Sequence, residues 1–247
     1  MIVVSLAAIA LAAFGGVLGE TLGSRGPFLL YALGLPVALA AALLLPEPDL
    51  RTPAASAVAW RPDGRVFALL AITFAISLVF YTLFVQIGPL LLESGPASPA
   101  MIGGASAALN FGIAVGAMLF QWQKQRTGAV LLAAGLVLSA IGYFGAARSS
   151  DFYFVTAWAI VASVGCGVLL PNMLAWTLRA LPASHRGRVT GGWTGAFFLG
   201  QFVAPLLATA LLPWTGRLAG VLTLYAGASV IAALVAGMIA AARRPAA

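Results

Sequence analysis

The sequence predicts an all-α, polytopic membrane protein of about eight transmembrane helices. Three observations carry that prediction: the composition, the clustering of charge, and the length of the runs between clusters. Of 247 residues, 62% are hydrophobic and 8% charged, with a mean hydropathy of +1.04. Soluble domains hold about 45–50% apolar and about 25% charged residues, and no water-soluble fold can hide the excess found here. The charges leave free runs at 1–19, 26–46, 66–92, 94–123, 127–147, 152–178, 189–216 and 218–242. A hydrocarbon core about 30 Å thick needs about 20 helical residues, so each run is long enough to span.

Inside hydrocarbon every backbone N–H and C=O has to be paired within its own segment, which makes these runs helices. Barrel strands would be about 10 residues long with alternating polarity. The first run lacks a basic leading region and is too long for a secretory signal, so it reads as a span.

The formal charge of +7 does not imply nucleic acid, because the cations sit in short turns rather than on one arm or face. Counting alternate loops, one side holds Arg51, Arg61, Arg65, Lys124, Arg126, Arg179, Arg186, Arg188, Arg243 and Arg244. The other holds Arg25, Arg148 and Arg217. By the positive-inside rule the first side is cytoplasmic, which places both termini inside a plasma (inner) membrane. Cys166 is the single cysteine, so no disulfide framework or metal cluster is expected; its ordinary role is that of a small buried hydrophobe. No cofactor is implied.

The connection between Pro46 and Arg65 stands apart. It holds Pro48, Pro53 and Pro62 among five charged residues and cannot continue either flanking helix. It divides the chain into a two-helix unit (1–46), a cytoplasmic linker (47–65) and a six-helix bundle (66–247). Within that bundle, small residues every fourth position, Gly104, Ala108, Gly112 and Gly116 on one helix and Gly187, Gly191 and Gly195 on another, predict close helix contacts. Gly165, Gly167 and Pro171 should weaken or kink the helix that carries them.

Three stretches carry a resemblance to a known family. They are Gln125-Arg126-Thr127-Gly128 in a cytoplasmic turn, His185-Arg186-Gly187-Arg188-Val189-Thr190-Gly191 running on to Gln201 and Ala204-Pro205, and the pair of spans ending Leu45-Pro46-Glu47 ahead of the charged linker. Together they resemble helices five to twelve of the major facilitator superfamily, roughly the last two-thirds of such a transporter. Gln125 replaces the acid of the family's turn signature. The resemblance implies an incomplete family bundle that acts as a secondary transporter by alternating access, with missing N-terminal helices or another subunit as expected partners beside the lipid bilayer. In that frame Arg126, Gly128, Gly165, Gly167, Pro171, Arg186 and Gly187 are the gating and packing positions.

Polar groups near the bilayer middle are expensive, so those present are candidates for lining a cavity that holds a small-molecule substrate. Thr73, Ser77 and Tyr81 share one helix face, and Asn110, Asn172 and Gln201 lie on three further spans. Phe80, Phe84, Trp158 and Trp176 are candidate contacts for an apolar or cationic ligand, whereas Trp60, Trp122 and Trp214 suit the interfacial belt. Glu20 and Glu93 lie near the outer surface, with Arg25 the expected partner of Glu20. No span holds an internal acid, so proton coupling has no visible carrier. The expected function is efflux of a small organic solute; the alternative is a truncated, non-transporting remnant or structural membrane subunit. An enzyme is not expected, since the only histidine, His185, sits in a loop and Cys166 has no companion.

Overall fold

The computed structural model describes residues 2–45, 64–123, 125–126, 128–179 and 186–242. The linker residues 46–63, and with them Trp60, lie outside that set, as do Lys124, Thr127, His185, Arg243 and Arg244. The described residues are helical, with no strand: α1 (Ile2–Leu22), a 3-10 segment (Gly23–Leu33), α2 (Gly34–Leu44), α3 (Gly64–Leu92), α4 (Pro99–Gln123), α5 (Gly128–Arg148), α6 (Phe152–Arg179), α7 (Arg186–Thr215) and α8 (Leu218–Ala242).

Seven helical stretches among the described residues are long and apolar enough to cross a membrane, and Leu6–Leu44 counts as one of them. Two of the eight expected spans are therefore joined in a single 39-residue stretch, and its local geometry explains how. Gly23 has φ +74°, a left-handed conformation that glycine adopts without a Cβ penalty. There the chain turns back, since Gly15 lies against Leu30, Gly19 against Pro27, and Gly26 against the Leu18 carbonyl. A straight helix would hold residues 15 and 30 about 22 Å apart. The returning arm starts as 3-10 turns containing Pro27, whose missing N–H loosens α-helical bonding, and runs on into α2, which buries no residue at all.

Glycine contacts set the helix packing. A β-carbon built at Gly16 of α1 would sit 2.7 Å from the Pro99 carbonyl oxygen and 2.8 Å from Gly103 Cα. Gly103, rather than the expected Gly104, is thus the α1 contact of α4, and Gly104 faces open space. Gly112 and Gly116 lie against α6, beside Ile160, Val164 and Gly167. On its other side α6 meets α5 through Gly165, against Ser139 and the Gly135 carbonyl, and through Ala162 against Gly142. α6 is consequently wedged between two neighbours at backbone distance, where dispersion contacts are densest. It stays α-helical from Phe152 to Arg179 with Pro171 inside; the expected weakening does not interrupt it. The second expected stripe behaves differently, because Gly187, Gly191 and Gly195 have nothing within 4 Å.

The three described acids all serve as helix N-terminal acceptors at the end of the bundle away from the arginine-rich turns. Glu20 Oε2 accepts from the Ala100 N–H (3.0 Å) and the Ser98 hydroxyl (2.8 Å) at the start of α4. Glu93 accepts from the Leu218 N–H (2.8 Å) and the Ala219 N–H (3.3 Å) at the start of α8. Asp151 Oδ1 accepts from Tyr153 N–H (2.9 Å) and Phe154 N–H (3.2 Å) at the start of α6. Helix N-termini carry unpaired N–H groups and partial positive charge, which carboxylates stabilise. Glu20 accordingly bonds across to α4 in place of its expected pairing with Arg25. Glu20→Ala should cost about 1 kcal/mol, a fall of about 2–4 °C in the detergent melting midpoint; an unchanged midpoint would discount the cap.

Candidate functional site

The densest aromatic contact in the bundle joins α3 to α7. Phe80 stacks on Phe84 (centroids 4.5 Å apart) and meets Tyr81 edge-on (4.9 Å). Tyr81 and Phe80 reach Phe197 of α7 at 5.0 and 5.4 Å, and Phe197 stacks on Trp193 at 5.6 Å. Trp193 and Phe197 are one helical turn apart, which lines both rings up toward α3. Cys166, Ala204 and Ile113 close the cluster from α6, α7 and α4. The Trp193 indole N–H is shielded and has no acceptor among the described residues. Rings spaced like this attract one another by about 0.5–1.5 kcal/mol per pair beyond burial.

Of the five sequence candidates, Tyr81 sits within this cluster and next to Phe198, 6.4 Å away. Phe198 is 50% exposed, and Gln201, one turn further along α7, is exposed as well. Ser77 is fully buried one turn before Tyr81, pressed on Gly200 of α7, and its hydroxyl donates to the Phe74 carbonyl (2.6 Å). Thr73 is buried and bonds Leu69 in the same way (2.8 Å). Ser77 therefore belongs to the α3–α7 contact. Asn110 is half-buried and donates to the Ser106 carbonyl of its own helix (2.9 Å), one turn before Ile113.

Asn172 lies elsewhere, toward the arginine-rich end. Its Nδ2 donates to the Gly128 carbonyl (2.9 Å), tying α6 to the first turn of α5. A small cavity of about 280 Å³ opens beside it, lined by Arg126, Gly128, Asn172, Trp176 and Arg179 among others. Trp176 lies against Gly128, where a β-carbon would be 3.3 Å from the ring. Arg126 Nε donates to Gln123 Oε1 (3.3 Å). The structure thus separates Asn172, Arg126 and Gly128 from Tyr81 and Gln201. Asn172→Ala removes one buried interhelical bond and should cost about 1 kcal/mol. The check is amide exchange in the first turn of α5, which should quicken while that of α4 stays as it was.

Among the remaining sequence candidates, Gly165, Gly167 and Pro171 are buried inside α6. Gly187 is open, and Arg186 begins α7. Trp158 packs on Gly145 near the other end of α5, away from the cluster.

Sequence reasoning missed Trp193, Phe197 and Phe198. Their i, i+4, i+5 spacing on α7 was a usable signal. It also missed Tyr143, whose hydroxyl donates to the Val79 carbonyl (3.0 Å) and lies 3.8 Å from Cys166 Sγ, with Ser139 Oγ also 3.8 Å from that sulfur. This largely buried thread joins α3, α5 and α6. It needs a tertiary partner to be recognised, which no local pattern supplies.

Known proteins bear on this arrangement. Residues 69–247 match the Major Facilitator Superfamily. The chain is also similar to the "Uncharacterized MFS-type transporter Rv1250" of Mycobacterium tuberculosis, at 32% identity over 82 residues; that stretch is 33% of this chain and 14% of the relative. A multi-pass helical bundle embedded in the lipid bilayer, with the family's pattern running from α3 to the last residue, makes this chain a member of the Major Facilitator Superfamily.

Proposed function

We propose that the chain acts in secondary active transport, moving a small organic solute across the plasma (inner) membrane by alternating access, in the direction of efflux. The observation that carries this reading is the aromatic cluster of Tyr81 and Phe197, each 8% exposed, which reaches the surface at Phe198 with exposed Gln201 beside it. It combines apolar rings with one neutral amide and holds no fixed charge, which suits a neutral or cationic solute with an aromatic or aliphatic body. In this reading residues 66–247 move as one rocking unit, and α1 rides on α4 through Gly16 and Gly103. The open Gly187, Gly191 and Gly195 face of α7 is where further N-terminal helices or another subunit would approach.

The test is flux of a panel of lipophilic organic cations and neutral aromatics from proteoliposomes. Gln201→Ala is expected to lower flux at least tenfold while leaving the melting midpoint within about 2 °C; Tyr81→Phe, which keeps the ring in the cluster, is expected to lower flux with a similarly small change in midpoint. No solute-dependent flux or binding from folded protein, alone or with a co-purifying subunit, would favour a structural, non-transporting role. Orientation has its own check. Phosphatase fusions in the turn at Arg148 should be active and those in the turn at Arg126 inactive, with both termini cytoplasmic.

A further inference from the structure

A second, larger cavity lies beside the aromatic cluster, touching it only at Cys166. It measures about 410 Å³ and lies between α3, α5, α6 and α8, within the size range of small-molecule pockets. Its inner wall is apolar: Leu132 and Leu136 of α5 and Leu169 of α6 are all buried. Its outer rim is different. Ile72 of α3 and Val235 and Ile239 of α8 line it and are 39%, 46% and 41% exposed, so the cavity opens sideways between α3 and α8 onto the surface that lipid covers.

Two hydroxyls interrupt the apolar lining, Ser139 and Ser229, beside the Cys166 thiol and Trp176; Ser139 is already engaged, donating to the Ala162 carbonyl of α6 (3.4 Å). Buried hydroxyls in transmembrane helices ordinarily donate to the carbonyl three or four residues earlier, and Thr73, Ser77, Thr82, Ser163 and Thr177 all do so here. Ser229 does not. It lines the cavity and is 2% exposed, and its Oγ has no partner among the described residues. A shielded, unbonded hydroxyl is costly, and an acceptor brought into the cavity would relieve that cost.

We propose that this cavity binds a neutral, lipophilic small molecule carrying one carbonyl-type acceptor, which enters from the membrane between α3 and α8 and takes the Ser229 hydroxyl as its single polar contact. The volume and the one unbonded hydroxyl set the chemistry: an apolar body with one acceptor and no charge, since no ionised group lines the walls. The cavity shares only Cys166 with the α3–α7 aromatic cluster, so it stands whether or not the aromatic cluster contacts a solute.

Benzophenone is a suitable probe, being a neutral aromatic ketone that labels neighbouring C–H bonds under ultraviolet light. Irradiation of the purified chain in detergent or nanodiscs should give saturable labelling mapped by mass spectrometry to Ile72, Leu136 or Val235. Ser229→Val should raise the half-saturating concentration about fivefold, and Ala232→Phe, at the lipid-facing mouth, should abolish saturation without lowering the melting midpoint. Labelling that never saturates and spreads over lipid-facing residues such as Leu234 and Met238 would overturn the proposal. So would an equal affinity in Ser229→Val, or displacement of benzophenone by phospholipid alone, which would assign the space to an acyl chain.

Discussion

Gly167→Leu should lower the melting midpoint of the detergent-solubilised protein by roughly 6–12 °C, corresponding to about 3 kcal/mol or more. A β-carbon at Gly167 would press on the Ile113 carbonyl and lie 2.9 Å from Ile113 Cα. These are backbone atoms of α4, so no side-chain rotation relieves the clash; α4 has to move away from α6. Since α6 is also held on its far face by Gly135 and Gly142 of α5, it cannot retreat without opening that contact instead. Gly191→Leu is the matched control. Nothing lies within 4 Å of Gly191, and leucine has the better helix propensity, so its midpoint should stay within about 2 °C of the parent. Equal melting of the two variants at one scan rate would discard the close α4–α6 contact.

That pair of variants also marks where sequence reasoning ends. Which segments cross lipid was legible, because hydrocarbon leaves the backbone few alternatives and charges are excluded from it. The family was legible too, from the short turn around Arg126 and the run from Arg186 to Pro205 taken together with the layout. Small residues at fourth positions announce that a helix can be approached, but not by which neighbour. Gly112 and Gly116 meet α6, the α1 contact falls on Gly103 instead of Gly104, and the Gly187 to Gly195 stripe meets nothing described. Hydrogen bonding shows the same boundary. Asn110 looks identical to Asn172 in sequence, yet one bonds within its own helix and the other clamps two helices. Glu20 had a plausible nearby cation, and a helix start about 80 residues away takes it instead. Such choices are made by tertiary geometry, because a membrane helix presents many similar faces and one sequence period serves them all.

The α3–α7 contact offers a sharper experiment, because the chain carries its own reporter. Cys166 is the single cysteine and is 1% exposed, covered in part by Phe80, Tyr81, Phe197 and Ala204. α7 is docked mainly through α3, and at Gly200 a β-carbon would collide with the Ser77 hydroxyl and lie 2.6 Å from its Cβ. Ser77 cannot swing aside cheaply, since its hydroxyl is bonded to the Phe74 carbonyl and its side chain is wholly buried. Gly200→Leu should therefore lift α7 while leaving α4, α5 and α6 packed on one another. The expected result is labelling of Cys166 at least tenfold faster than in the parent by a maleimide too bulky for the cavity of about 410 Å³ that Cys166 also lines, with loss of any solute flux. Gly195→Leu, on the open side of the same helix, should leave the thiol protected. If Gly200→Leu keeps Cys166 as slow to react as the parent, α7 is not held by the Ser77 to Gly200 contact, and the aromatic surface built on that contact loses its support.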